Sequence, residues 1–415
     1  MKERYNASLV CRNCGWHHVV DHMRIIICLN NVGKHIRSLI FEPMMNSHNF
    51  YDFMNMIFRY YKIQELYTEP LEHKTHIHKL KLTSPRDRIY KNNSDVMTLY
   101  GTGIKFFETV IKLIGCFCNM KCLELIDFMM NSEEAIHIMD KICKCNRQTL
   151  SKLILINATR CPCPITHFAV FKNLHTLVIS PQNLSETVLA ELGCIRLRHL
   201  HILQNHYSIK ELSLNLPNNV SWKKLKQNNP KLKIHLEIES RKKSDVILNI
   251  NEHEIPFHSI VLDNPNTQVL WTTILNHAMN FGRTLHVYAL KGLTVHYLEK
   301  VFAKRIDETI VKFCKLCPNL HTLMIRYKLS TATLLEIVST AKSLRFLYVR
   351  RNVILKKFDA DWLSVSDWSP EHCKWIKENC KTYEKTEQEI SRILGYRWRM
   401  LSEKEFAKQT IRLYV

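Results

Sequence analysis

The sequence predicts an α/β fold, an irregular solenoid in which short parallel strands alternate with helices. Three observations predict it. An apolar unit of the form L-x-x-L-x-L recurs along the chain, and its best copies start at 174 and 197 and again at 320 and 344, which are 23 and 24 residues apart. Segments that read as helices with a Ser start follow these units.

The best copies are Leu174-x-x-Leu177-x-Ile179, Leu197-x-x-Leu200-x-Ile202, Leu320-x-x-Leu323-x-Ile325 and Leu344-x-x-Leu347-x-Val349. Looser ones are Ile36-x-x-Leu39-x-Phe41, Ile77-x-x-Leu80-x-Leu82, Met120-x-x-Leu123-x-Leu125 and Leu150-x-x-Leu153-x-Leu155. Alternation places the Leu side chains in a shared interior, and Asn or Cys at the following turn satisfies neighbouring backbone groups. This is the leucine-rich-repeat (LRR) pattern, with Asn205 and Asn352 at the turn position of their units. One repeat cannot bury its own apolar face, so repeats must stack. Between 205 and 320 the pattern fades, and Leu232–Ile238, Val246–Ile250 and Leu285–Leu290 are the candidate strands there. The segments Ser185–Leu192 and Ser330–Ala341 are expected as helices capped by their own Ser.

From Asp359 the character changes. Trp362, Trp368, Trp375 and Trp398 are four of the seven Trp of the chain, set among Lys, Glu and Arg. Ser369-Pro370-Glu371 reads as a helix start with Pro in the first turn, and Ser402-x-x-Glu405 as a capping box. Two readings stay open for this region: a helical cap sealing the last repeat, or a substrate-contact patch built on its tryptophans.

Composition narrows the function classes. The 415 residues are 46% hydrophobic and 23% charged, an ordinary globular balance. No stretch approaches the roughly 20 apolar residues of a membrane span, and the polar opening is no secretory signal. A cytoplasmic or nuclear location, with the 15 Cys as reduced thiols, is therefore expected. A net charge of +21 raises the question of a polyanionic partner, but no sustained basic run or interleaved aromatic platform accompanies it. Nucleic acid is not expected as a partner. Any affinity for it should be electrostatic and collapse within a few hundred millimolar salt in a titration; sequence-selective binding surviving such salt would reverse this expectation.

Chemical constellations are scarce. Cys11, Cys14, His18 and His22 on a single helix would form a line rising about 16 Å, too long to close a tetrahedron around one ion. Cys314-x-x-Cys317 and the pairs Cys116/Cys118, Cys143/Cys145 and Cys161/Cys163 read as structural thiols. Gly101-Thr102-Gly103 is too short for a phosphate loop, and no nucleophile elbow or H-E-x-x-H occurs. No catalytic set, metal or cofactor is expected; the chain reads as a binding protein.

The segment Ala7-Ser8-Leu9-Val10-Cys11-Arg12-Asn13-Cys14-Gly15-Trp16, with Val19–Met23 after it, resembles the closing helix of an F-box, with its Leu-Val-Cys-Arg text and following Trp. Together with Cys317-Pro318-Asn319-Leu320 and with Trp222 followed by Asn229-Pro230-Lys231-Leu232, it resembles the F-box-only proteins that carry LRRs. The resemblance implies three parts: an incomplete F-box-like helix over 1–28, an LRR solenoid over 29–358 and a C-terminal helical cap over 359–415. It implies a non-catalytic substrate-recognition subunit of an SCF-type E3 ubiquitin ligase. Leu9, Val10, Cys11 and Trp16 would hold the SKP adaptor, which joins the cullin scaffold, while the repeats hold an unknown protein substrate. An F-box has about three helices and opens on Leu-Pro, and this chain starts at the third. So short a remnant falls short of the roughly 1,000 Å² of a stable interface, so weak or no adaptor binding is expected. The alternatives are an LRR scaffold without a ligase link and a basic nucleic-acid-binding solenoid.

Overall fold

A computed structural model describes residues 7–11, 18–41, 47–67, 77–83, 88–90, 96–98, 103–205, 216–240, 248, 250, 253–266, 269–293, 300–365, 367–409 and 411. The chain divides into two compact units, one of residues 1–203 and 207–232, the other of 204–206 and 233–415.

The first unit runs β1 (Ala7–Cys11), α1 (His18–Val32), β2 (Ile36–Phe41), α2 (Ser47–Tyr67), β3 (Lys79–Thr83), β4 (Arg88–Tyr90), β5 (Val96–Thr98), α3 (Gly103–Cys116), β6 (Cys122–Ile126), α4 (Ser132–Asn146), β7 (Lys152–Ile156), β8 (Thr176–Ile179), α5 (Glu186–Leu192), β9 (His199–Gln204) and α6 (Asn219–Asn228). Strands β1, β2, β3, β6, β7, β8 and β9 are neighbours in that order, all parallel. Parallel neighbours need a crossover, which helices or extended loops supply. The wide spacing of the early repeats also has a visible cause. Helix α2 is 21 residues long, and the antiparallel hairpin β4–β5 is inserted before α3.

Register stacks the repeat Leu residues in columns. Leu39, Leu80, Leu123, Leu153, Leu177 and Leu200 are mutual partners across the strands, and all are fully buried. Burial of each contributes roughly 1.5–3 kcal/mol, and only stacking makes it possible. At the strand exits a second ladder, of polar side chains, satisfies the turn. Asn157 donates from Nδ2 to Asp127 Oδ1 (2.9 Å), and Gln182 donates from Nε2 to Asn157 Oδ1 (3.2 Å). Asn183 donates to Thr159 Oγ1 (2.7 Å) and Cys163 O (2.9 Å). Asp127 and Asn157 sit at φ +59 and +44, a left-handed conformation that Asp and Asn tolerate best after Gly.

The second unit runs β10 (Lys233–Glu239), β11 (Phe257–Asp263), α7 (Trp271–Phe281), β12 (Val287–Lys291), α8 (Asp307–Leu316), β13 (Thr322–Ile325), β14 (Leu329–Ser330), α9 (Thr331–Thr340), β15 (Phe346–Val349), β16 (Ile354–Leu355), α10 (Trp362–Val365), α11 (Pro370–Asn379), α12 (Tyr383–Leu394) and α13 (Glu403–Lys408). Strands β10, β11, β12, β13 and β15 form its parallel ladder, and β14 pairs with β16. Leu236, Ile260, Tyr288, Leu323 and Leu347 occupy the inward column, Leu347 being 2% exposed and the others less.

Two of the strands expected between 205 and 320 are present, β10 (Lys233–Glu239) where Leu232–Ile238 is expected and β12 (Val287–Lys291) where Leu285–Leu290 is. Leu248 and Ile250 are buried but in no strand, and the rest of Val246–Ile250 lies outside the described residues. The strand that sequence reading missed is β11. Its unit is Phe257-x-x-Ile260-x-Leu262, where a buried Phe fills the position that the pattern gives to Leu.

Both Ser caps are in place: Ser185 accepts from Val188 N and Ser330 from Thr333 N. Asn352, by contrast, is exposed and donates to Glu403, so it is no buried turn residue like Asn205.

The helical reading of the F-box-like segment is corrected at its start. Leu9, Val10 and Cys11 belong to β1, paired in parallel with Leu39, Ile40 and Phe41 of β2. β-branched and aromatic neighbours suit a strand, and pairing with β2 satisfies backbone groups that a helix would satisfy internally. The sheet thus begins within 1–28. Helix α1 starts only at His18, so Cys11 and His18 share no helix axis, while Cys14 and Trp16 lie outside the described residues.

Cys314 and Cys317 are buried, and burial pushes both thiols up, Cys317 to about 12. They stay protonated and apolar, as core thiols do. No described helix is long and apolar enough to cross a membrane.

Candidate functional site

Three positions of a repeat lie on the outward side of its strand: the second, third and fifth of L-x-x-L-x-L. In the first unit the second positions are Arg37, His78, Lys121, Ser151, His175 and Arg198. Backbone hydrogen bonds tie each to the next, from His78 N to Arg37 O (2.8 Å) through to Arg198 N to His175 O (2.9 Å). Five cationic or titratable side chains therefore line one edge of the strand face, with Lys121, His175 and Arg198 exposed. Beside them Lys79 and Lys81 reach Glu124 Oε1 (2.7 Å) and Oε2 (4.0 Å), and Glu124 is buried. One carboxylate faces two ammonium groups, which leaves the patch positive. At other fifth positions Ile40 is half-buried, while Ile154 and Val178 are buried. Such a surface offers chiefly ion pairing.

The strand face of the second unit differs. Its fifth positions, Val261, Ala289, Met324 and Tyr348, are register partners. The first three are buried beneath Phe406 of α13, with Leu401 and Ile411 packed alongside. Plain alternation would have left this column in water. The chain that covers it first seals the sheet edge: Trp398 Nε1 donates to Leu347 O (2.8 Å), Leu401 N to Val349 O (2.9 Å), and Arg351 N to Leu401 O (2.9 Å). The otherwise unpaired edge of β15 is thereby closed. Helix α13 then starts on its capping box, in which Glu405 N donates to Ser402 Oγ (3.3 Å) and Ser402 N to Glu405 Oε2 (2.9 Å). Hydrogen bonds from Arg399 and Ser402 hold the Glu405 carboxyl down at about 2.

Two guanidinium groups lie buried at the strand exits beside this face. Arg326 donates to Lys291 O (2.7 Å) and Tyr327 Oη (3.0 Å), and Arg350 donates to Arg326 O (2.8 Å). Arg350 also reaches Glu403 Oε1 (3.2 Å), and its guanidinium stands 5.8 Å from the Phe406 ring centre. Burial, with Arg326 adding to it, lowers the pKa of Arg350, and Glu403 opposes that shift.

The tryptophans expected to form a contact patch are mostly interior. Trp362 is 1% exposed, meets Phe302 edge-on at 5.1 Å and stacks on Trp368 at 5.2 Å. Trp398 is buried at the edge of β15. Trp368 and Trp375 are half-buried, and Trp375 donates from Nε1 to Glu389 Oε1 (2.7 Å). Trp362 and Trp398 are thus corrected from contact residues to core. Large aromatic area is gained more fully by filling gaps between α10–α12 and the last repeat than by standing in water.

Two buried histidines set an acid limit. Burial, followed by His199 and Lys152, pulls His201 down to about 3, and burial pulls His277 to about 4. The unfolded chain, with His near 6.5, binds protons that the folded chain refuses. Stability is therefore full above about pH 6.5 and falls as pH drops toward 4, by about 1.4 kcal/mol per unit and group at most. In urea denaturation His277→Gln should flatten this slope while still able to meet the Tyr288 hydroxyl, which lies 3.1 Å from His277 Nδ1. An unchanged slope would assign the acid sensitivity elsewhere.

The parallel strand ladders, the inward Leu columns and the polar turn ladder are those of an α/β leucine-rich-repeat solenoid. No protein-family model matches the chain, and no curated protein matches it in sequence. Among solved structures it is similar to one described as the crystal structure of a TLR13–ssRNA13 complex, at 15% identity and a TM-score of 0.36, over 86% of this chain and 50% of that one. The chain spans about half the length of that structure.

Proposed function

We propose that this solenoid is a non-catalytic protein-binding scaffold whose first-unit strand face receives an acidic partner surface. The observation that carries the reading is the aligned row from Arg37 to Arg198, in which Arg37, Lys121 and Arg198 are cations, flanked by Lys79 and Lys81. The third and fifth positions of this unit offer no Phe, Tyr or Trp for base stacking, which favours a folded acidic protein over a single-stranded nucleic acid. Exposed charges of this kind steer association and set partner choice more than they stabilise the fold. Lys121→Glu with Arg198→Glu should leave thermal stability within about half a kcal/mol and lower the association rate with a captured partner several-fold at low salt. Partner binding at an unchanged rate would overturn the reading. Single-stranded RNA and duplex DNA serve as the contrast, since their binding should follow the steep salt slope of counterion release.

The substrate-receptor role in an SCF ligase rests on the sequence resemblance alone, that of the F-box-like segment Ala7–Trp16 together with the repeats. With Leu9–Cys11 in a strand, the 415-residue chain should not retain purified SKP adaptor in a pull-down. Tight retention would restore the ligase reading.

A further inference from the structure

We infer that the strand face of the second unit is a docking surface for a short helix carrying a carboxylate and an aromatic side chain three positions apart, and that the chain's own C-terminal helix α13 occupies it as a built-in competitor. The geometry of α13 gives the specification of the partner. Glu403 and Phe406 are three residues apart, so they share one helix face. The carboxylate of Glu403 accepts from Arg350 Nη1 (3.2 Å) and Asn352 Nδ2 (2.6 Å). Phe406 closes on Val261, Ala289 and Met324 and is 1% exposed.

Charge complementarity commits the surface to an occupant that brings a carboxylate. Arg350 is 3% exposed and its one ion-pair partner among the described residues is Glu403, whose side chain is 52% exposed at the rim. With α13 gone the Arg350 guanidinium would stand on the face as a cation open to a new carboxylate. Helix α13 itself offers little area beyond Phe406. It is 6 residues long, and Lys404, Ala407 and Lys408 point to solvent. A longer helix carrying the same carboxylate–aromatic pair would bury more area and win the exchange.

The test uses the full chain and a fluorescein-labelled peptide of residues 399–411. Phe406→Ala in the chain should raise peptide affinity at least tenfold over the unaltered protein, measured by anisotropy. The same peptide with its own Phe406→Ala or Glu403→Lys change should lose that gain. Equal affinity for both chains, or equal binding of the altered peptides, overturns the inference. Should Phe406→Ala not fold, Glu403→Ala, a change at the half-exposed rim, is read instead, with a gain of about threefold expected and no gain overturning it. Light scattering separates a foreign helix from a second copy: concentration-dependent dimers of the unaltered chain, dissolved by excess peptide, would assign the surface to an exchanged α13 and overturn the choice of partner.

Discussion

Replacing Arg305 by Met is expected to lower the stability of the second unit by about 3–5 kcal/mol. Arg305 is 1% exposed and donates from Nε to Asp307 Oδ2 (2.7 Å), from Nη2 to Asp307 Oδ1 (3.1 Å) and Asp359 Oδ2 (2.5 Å), and from Nη1 to Lys300 O (2.9 Å). Asp307 is wholly buried and also accepts from Ser330 N (3.0 Å) and from the Thr333 hydroxyl. The guanidinium therefore ties the start of α8 to the turn before α10, and its removal strands two carboxylates out of water. Lys357 Nζ lies 2.5 Å from Asp359 Oδ1 but reaches it from the exposed side, so it compensates only one of the two. Arg305→Lys keeps the charge and loses the fork, so an intermediate loss is expected. Guanidinium chloride denaturation followed by Trp fluorescence reads the change. A loss under about 1 kcal/mol for Arg305→Met would show that the network contributes little net stability.

Truncating Leu177, Leu200, Leu323 or Leu347 to Ala should each cost about 2–5 kcal/mol, the transfer term plus the cavity. All four lie in the inward columns. His175 and Arg345, exposed at the second repeat position, should tolerate Ala within about half a kcal/mol. His199 and His321 are half-buried, and His321 packs against Phe346 at 5.1 Å, so a somewhat larger loss is expected for them. A one-residue slip of register would exchange the two sets, so equal damage from both would refute the strand assignment. Met324→Ala is the informative extra variant. It sits on the outward face, yet it is buried under Phe406 and should behave like the Leu set.

Much of the fold is local and therefore legible in the text of the chain. The L-x-x-L-x-L units at Leu174, Leu197, Leu320 and Leu344 are strands in the expected register, because inward Leu and alternation are properties of a single strand. Ser185 and Ser330 were readable for the same reason, since a cap involves four consecutive residues. β11 escaped because a Phe at position 257 satisfies the same inward volume as Leu without its letter.

Segment 7–11 misled because Leu-Val-Cys is compatible with either helix or strand, and pairing with β2 decides between them. The basic row was hidden in plain text: Arg37, His78, Lys121, His175 and Arg198 are each the second letter of a repeat, scattered along the chain. They form no basic run, and only lateral pairing of the strands makes them neighbours.

The sequence by itself determined that this is an α/β solenoid of stacked Leu-bearing strands, that helices start after Ser185, Ser330, Ser369 and Ser402, and that the chain from Asp359 departs from the repeats. The tertiary structure alone decided that Trp362 and Trp398 are core, that the edge of β15 is closed by Trp398 and Leu401, and that Phe406 covers Val261, Ala289 and Met324. The physical reason is separation along the chain. Period and capping act within a few residues, whereas the partners of Phe406 lie 82 to 145 positions away, and which apolar face a short terminal helix covers depends on three-dimensional register that no local pattern encodes.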